Sequence, residues 1–124
     1  TIAKVEVIPP GEEGLFSLEN LEKLLHQYKD RTLKIASVVG GSNVTGIQVP
    51  CHDIAKLMHS YYGVCFVDYA CAAPYIDIDM HTEDKNAALD AIFFSPHKFL
   101  GGPGTSGVLI FNKKLSIMRR SWSD

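Results

Sequence analysis

A chain of 124 residues, 46% apolar and 21% charged, is long enough for one domain with a core and has the composition of an ordinary soluble globular protein. Twelve basic against 14 acidic residues leave a net charge of −2, which gives no electrostatic footprint for nucleic acid or an anionic membrane. No apolar run approaches the roughly 18–20 residues that span a bilayer. The three cysteines, Cys51, Cys65 and Cys71, are odd in number and lack CxxC spacing. That argues against a disulfide framework and a zinc site, and for a reducing, cytoplasmic compartment.

In chain order, residues 2–8 are β-branched and loosely alternating, the pattern of a strand, and Pro9 to Gly14 form a loop. Ser17 is placed to cap a helix whose stripe is Leu18, Leu21, Leu24, Leu25 and Tyr28. Residues 33–39 form the next strand, followed by a polar turn from Gly40 to Gly46. A second helix starts near Pro50 with Ile54, Leu57, Met58 and Tyr61 on one face, and Gly63 ends it. Val64 to Val67 is a short apolar strand that delivers Asp68. Residues 69–84 are irregular, 87–90 form a short helical turn, and 91–94 form a strand. After the glycine-rich stretch 101–107 comes a last strand to Phe111, which Asn112 and Lys113 end; this final pair is open to an antiparallel arrangement. Lys113, Lys114, Arg119 and Arg120 read as a solvated face. Both ends look cut, so the expectation is a piece of a larger protein.

Apolar strands alternating with helices predict an α/β fold with a mainly parallel sheet. In such a sheet the strands' C-terminal ends share one edge, where ligands bind. Three polar clusters fall there: Ser42, Asn43 and Thr45; Asp68; and Ser95, His97 and Lys98. Lys98 lies between Phe94 and Phe99, a setting in which desolvation would favour the neutral, nucleophilic amine able to bond an aldehyde. Asp68 follows four apolar residues. It is either a turn-forming aspartate or a partly buried carboxylate needing a cationic partner, for which a protonated pyridine nitrogen and Lys98 itself both stand open. Ser95 and His97 suit a phosphate; a loop with incidental polar residues is the plain alternative. Gly101 to Gly107 lacks the lysine of a P-loop and precedes a strand, so a tight turn between strands is expected. His26, His52, His59 and His81 read as surface or internally satisfied residues.

The motifs Ser42-Asn43-Val44-Thr45-Gly46, Val67-Asp68-Tyr69-Ala70 and Phe94-Ser95-Pro96-His97-Lys98, with Gly102-Pro103-Gly104-Thr105-Ser106-Gly107, resemble in order and spacing the class V aminotransferase family of pyridoxal-phosphate enzymes. The nearest flavour is the cysteine desulfurases and selenocysteine lyases. The resemblance implies a three-layer α/β/α large domain, of which residues 1–124 form the central part, the small C-terminal domain lying outside it. It implies pyridoxal 5'-phosphate as cofactor, an amino acid as substrate and a homodimer in the full-length protein. It also implies roles: a Schiff base to the cofactor at Lys98, which later carries the Cα proton; Asp68 at the pyridinium nitrogen; Ala70 against a ring face; Asn43 near the phenolic oxygen; and Ser95 and His97 at the phosphate. Many desulfurases carry a glutamine where this chain has Cys71, a poor donor. None of the three cysteines matches the place of a desulfurase nucleophile. Other class V aminotransferases, a β-elimination lyase and a non-catalytic paralogue share the same motifs. The segment alone is expected to be inactive.

Overall fold

The structure, a computed structural model, describes residues 3–118. Helix α1, Leu18–Gln27, starts at Ser17, whose hydroxyl accepts from Asn20 N at 3.1 Å. Its buried residues, Leu21 and Leu25, are one turn apart. Helix α2, Cys51–Ser60, buries Cys51, Ile54, Ala55 and Met58, the i, i+3, i+4, i+7 stripe of a helix lying on a core. Between and after these helices run β1 (Ile35–Val39), β2 (Val64–Asp68), β3 (Ala91–Phe94) and β4 (Val108–Phe111), and a short α3 (Lys113–Met118) follows.

The strands lie in sequence order, β1-β2-β3-β4. The first three are parallel, and β4 turns back antiparallel to β3. The register places Val39 beside Asp68 and Asp68 beside Phe93. Backbone bonds continue this alignment past the strand ends, Gly40 N donating to Asp68 O and Tyr69 N to Phe93 O, each at 2.8 Å. The three parallel strands therefore finish level with one another.

The core forms on one face of the sheet. Ala36 and Val38, Cys65 and Val67, and Ile92 pack with the inner faces of α1 and α2. The alternate positions point the other way: Ile35 and Val39 on β1 and Leu109 and Phe111 on β4 are 48–60% exposed. No element among the described residues covers that second face, so of the three layers expected, the described residues build the sheet and one helical layer.

Three expectations are corrected. Residues 3–8 form no strand: they have no pairing partner, and Val5 and Val7 are almost fully exposed. This segment is held by Tyr28, whose hydroxyl donates to Glu6 Oε1 at 2.6 Å, and by Asn20 Nδ2, which donates to the Pro9 and Pro10 carbonyls. Ile2, the first residue of the expected strand, lies outside the described residues. The helical turn expected at 87–90 is a 3-10 turn at Lys85–Ala87, started by Asp84, whose side chain accepts from Asn86 N. Asn112 ends β4 as expected, but Lys113, read as ending the strand with it, instead opens α3, which Asn112 caps by accepting from Lys114 N at 3.0 Å. Of the basic face, Lys113 and Lys114 are exposed as expected, and Arg119 and Arg120 lie outside the described residues.

At the sheet's opposite edge, His59 ties α2 to the start of β3. One ring nitrogen faces Asn86 O at 2.5 Å and the other faces Asp90 Oδ2 at 2.8 Å, while Cys65 N donates to the same carboxylate oxygen at 2.8 Å. Both side chains are largely shielded from solvent. His59→Ala leaves the half-buried carboxylate with one partner fewer and should cost about 1–3 kcal/mol, read as a lower urea midpoint with an unchanged slope.

Candidate functional site

Past the aspartate the alternation of β2 persists for two more residues. Val67 and Tyr69 are buried in the core, whereas Asp68 and Ala70 stay half-exposed on the other side. Tyr69 is the floor of this edge. A Cβ on Gly40 would lie 2.3 Å from its ring, so only glycine lets β1 end this close to β2. Burial pushes the Tyr69 phenol well above its usual range.

Asp68 combines both of its expected characters. Its Oδ1 accepts from Ala70 N at 2.7 Å, the bond of a turn-forming aspartate. The half-buried carboxylate makes no ion pair among the described residues, and its second oxygen is open to a cationic N–H. Lys98 is not that partner, because its Nζ donates to Cys71 Sγ at 3.0 Å.

Lys98 ends a 3-10 turn, Pro96–Lys98, that opens directly from β3. Lys98 N donates to Ser95 O and Phe99 N to Pro96 O, and Gly102 N then closes back on Phe99 O at 3.0 Å. Pro96 supplies the φ for the first position of the turn, and Ser95 keeps its hydroxyl out of the cap. The expected desolvation of Lys98 is not met. The lysine is exposed, and Phe94 and Phe99 pack against each other, ring centroids 5.9 Å apart, instead of enclosing the amine.

The loop after β1 carries the third cluster. Ser42 Oγ accepts from Val44 N and Thr45 N, and Thr45 Oγ1 accepts from Ile47 N. Both hydroxyls thus shape the loop, and Asn43 is exposed on it. Two direct bonds form here: Ala70 N donates to Asp68, and Lys98 donates to Cys71, the residue after Ala70. Asn43, Ser95 and His97 stand at the same edge without side-chain hydrogen bonds to that group among the described residues. The recess lined by Gly40, Pro50, Cys51, His52 and Tyr69 lies to one side and contains none of these candidates. His52 is satisfied by Ala87 O at 2.8 Å, as expected of a structural histidine.

Two contributors escaped the sequence argument. Tyr69 was foreshadowed by the period-two pattern running through Val67 and on past Asp68. The Cys71–Lys98 contact had no sequence signal, because 27 positions separate the pair.

This edge thus carries a half-buried carboxylate, an accessible primary amine and, on the amine's own turn, a serine hydroxyl that makes no cap bond. The model for the family described as Aminotransferase class-V matches residues 1–123. The chain is 32% identical over 117 residues to a protein of Halalkalibacterium halodurans named "Probable cysteine desulfurase", covering 94% of this chain and 26% of that one. It is 33% identical over 104 residues to the "Cysteine desulfurase" of Haloferax volcanii, covering 84% and 22%. Among solved structures, the apo cysteine desulfurase of Thermococcus onnurineus NA1 superposes with a TM-score of 0.72 at 27% identity, over 90% of this chain and 26% of that one. The chain spans about a quarter of the length of the curated relatives it matches.

Proposed function

The chain belongs to the aminotransferase class-V family, and from that premise we propose that it is the cofactor-holding part of the large domain of a pyridoxal-phosphate enzyme acting on an amino acid, cysteine desulfurase or selenocysteine lyase in type. The observation that carries this reading is the meeting of Asp68 and the Lys98 turn at one sheet edge, with the second oxygen of Asp68 and the amine of Lys98 not paired with each other.

Bound pyridoxal phosphate supplies an aldehyde for an amine and a ring that withdraws electrons from the substrate's Cα. The chain's own residues hold and serve it. The Lys98 Nζ would anchor the aldehyde carbon and, once displaced by the substrate amine, take the proton from Cα. Its exposure gives it the freedom to move between those positions. Asp68, held by the Ala70 amide, would accept from the pyridinium N–H and keep that nitrogen charged. Ala70 would pack on one ring face, its small side chain leaving the ring room. Asn43 would reach the phenolic oxygen. Ser95 and His97 would bind the phosphate beside the turn that carries Lys98. A homodimer and a cytoplasmic, reducing setting go with this reading.

The test is made on the full-length protein. Pyridoxal phosphate should bind with a new absorption band near the visible edge, and L-cysteine should yield sulfide or persulfide together with alanine. A full-length protein that neither retains the cofactor nor changes its spectrum would sink the reading. Cofactor binding with transfer of an amino group to a keto acid, and no sulfur release, would move it to another class V activity. Asp68→Asn should weaken cofactor retention about 10–100-fold, the loss of a charge-assisted hydrogen bond of ~1.5–3 kcal/mol, as measured by spectroscopic titration.

A further inference from the structure

The contact between Cys71 and Lys98 joins a thiol to a primary amine at 3.0 Å, in a place where neither is sealed from solvent. The other two thiols differ. Cys51 and Cys65 are buried on the core face; burial pushes the Cys65 thiol up to about 12 and raises that of Cys51 as well. Small oxidants therefore meet Cys71 first, with a nitrogen nucleophile already against the sulfur.

From this geometry we propose that Cys71 and Lys98 form a reversible oxidative cross-link, an S–N bond that closes when the Lys98 amine is not occupied. Hydrogen peroxide oxidises the Cys71 thiol by two electrons to the sulfenic acid and leaves as water. The Lys98 amine, its ammonium proton lost to solvent, attacks the sulfur. The S–O bond breaks, the hydroxide leaves with the amine's second proton as another water, and the S–N bond remains. The sum is thiol, amine and peroxide to sulfenamide and two waters. Two equivalents of a small thiol reverse it, regenerating the Cys71 thiol and the Lys98 amine and leaving as their disulfide. A glutamine in place of Cys71 has no such chemistry. The bond would take Lys98 out of use under peroxide and return it undamaged. Protection of the lysine by bound pyridoxal phosphate rests on the proposed function; the cross-link itself does not.

Peptide mapping by mass spectrometry tests both. The full-length protein, freed of cofactor, is treated with limiting hydrogen peroxide. The expected product joins the peptide holding Cys71 to the peptide holding Lys98 with the loss of two hydrogens, and trypsin ceases to cut after Lys98. Dithiothreitol restores both the masses and the cut, and neither Cys71→Ser nor Lys98→Arg gives the product. Recovery of Cys71 as a sulfenic or sulfinic acid with Lys98 still cleavable would overturn the proposal, as would its recovery as a disulfide with Cys51 or Cys65. Prior saturation with pyridoxal phosphate should suppress the cross-link. A cross-link that forms equally well with and without pyridoxal phosphate would leave the S–N bond standing and count against Lys98 as the cofactor's anchor.

Discussion

Lys98→Ala should lower turnover by the full-length protein by roughly 10²–10⁴-fold or more, the range for one positioned proton-transfer group, which is the part the proposed function gives Lys98, before the loss of its proposed bond to the cofactor is added. The side chain is exposed and makes one hydrogen bond, to Cys71. Its removal leaves no cavity and no orphaned buried group, so the urea midpoint should stay within about 0.5 kcal/mol of the parent. Lys98→Arg should be as inactive as the alanine variant, because a guanidinium keeps its proton and cannot bond an aldehyde. Small primary amines should partly restore proton transfer to Lys98→Ala and not to Lys98→Arg, whose side chain fills the space. Steady-state rates with and without methylamine decide it. Full activity in either variant would remove Lys98 from the chemistry.

Gly102→Ala should be the most damaging change outside the candidate residues. An added Cβ would lie 1.9 Å from Pro96 O, 2.9 Å from Pro96 C and 3.1 Å from His97 Cα. All three are backbone atoms, and no rotamer change relieves the contact. The turn that presents Lys98 would have to move, at a cost of about 1–3 kcal/mol or more for forcing atoms into a filled space. Stability and cofactor retention should fall together. Gly101→Ala is the informative comparison. A Cβ there meets nothing within 4 Å, and only the positive φ of 75° is unfavourable, at about 1–2 kcal/mol. That variant should lose stability while still retaining pyridoxal phosphate. Equal cofactor retention by both variants would mean that the packing of Gly102 on Pro96 does not position the lysine.

The α/β order was legible because each helix announces itself locally. Ser17 begins α1, the apolar stripe runs through α2, and four apolar residues precede Asp68. The antiparallel return of β4 was open in the sequence and is settled by its register on β3. What failed depended on partners that a linear pattern does not contain. Residues 3–8 alternate like a strand yet find no neighbour to bond. Asn112 looked like a strand's end and is also a helix cap, since both roles use the same residue type. Phe94 and Phe99 flank Lys98 in sequence, and in space they prefer each other. For the site, the shared sheet edge was legible from strand order alone. The Cys71–Lys98 contact depends on how an irregular segment folds back over that edge, which no periodicity encodes.

The face of the sheet that no described residue covers has a consequence in heat capacity. Ile35, Val39, Leu109 and Phe111 are already hydrated in the folded chain. Water ordered around them is present before and after unfolding, and so drops out of the difference that bends stability against temperature. A sheet wet on one side has a flatter stability curve than one coated on both. An element laid over this face would bring curvature and apolar burial together, making the fold both more stable near room temperature and more sensitive to departures from it.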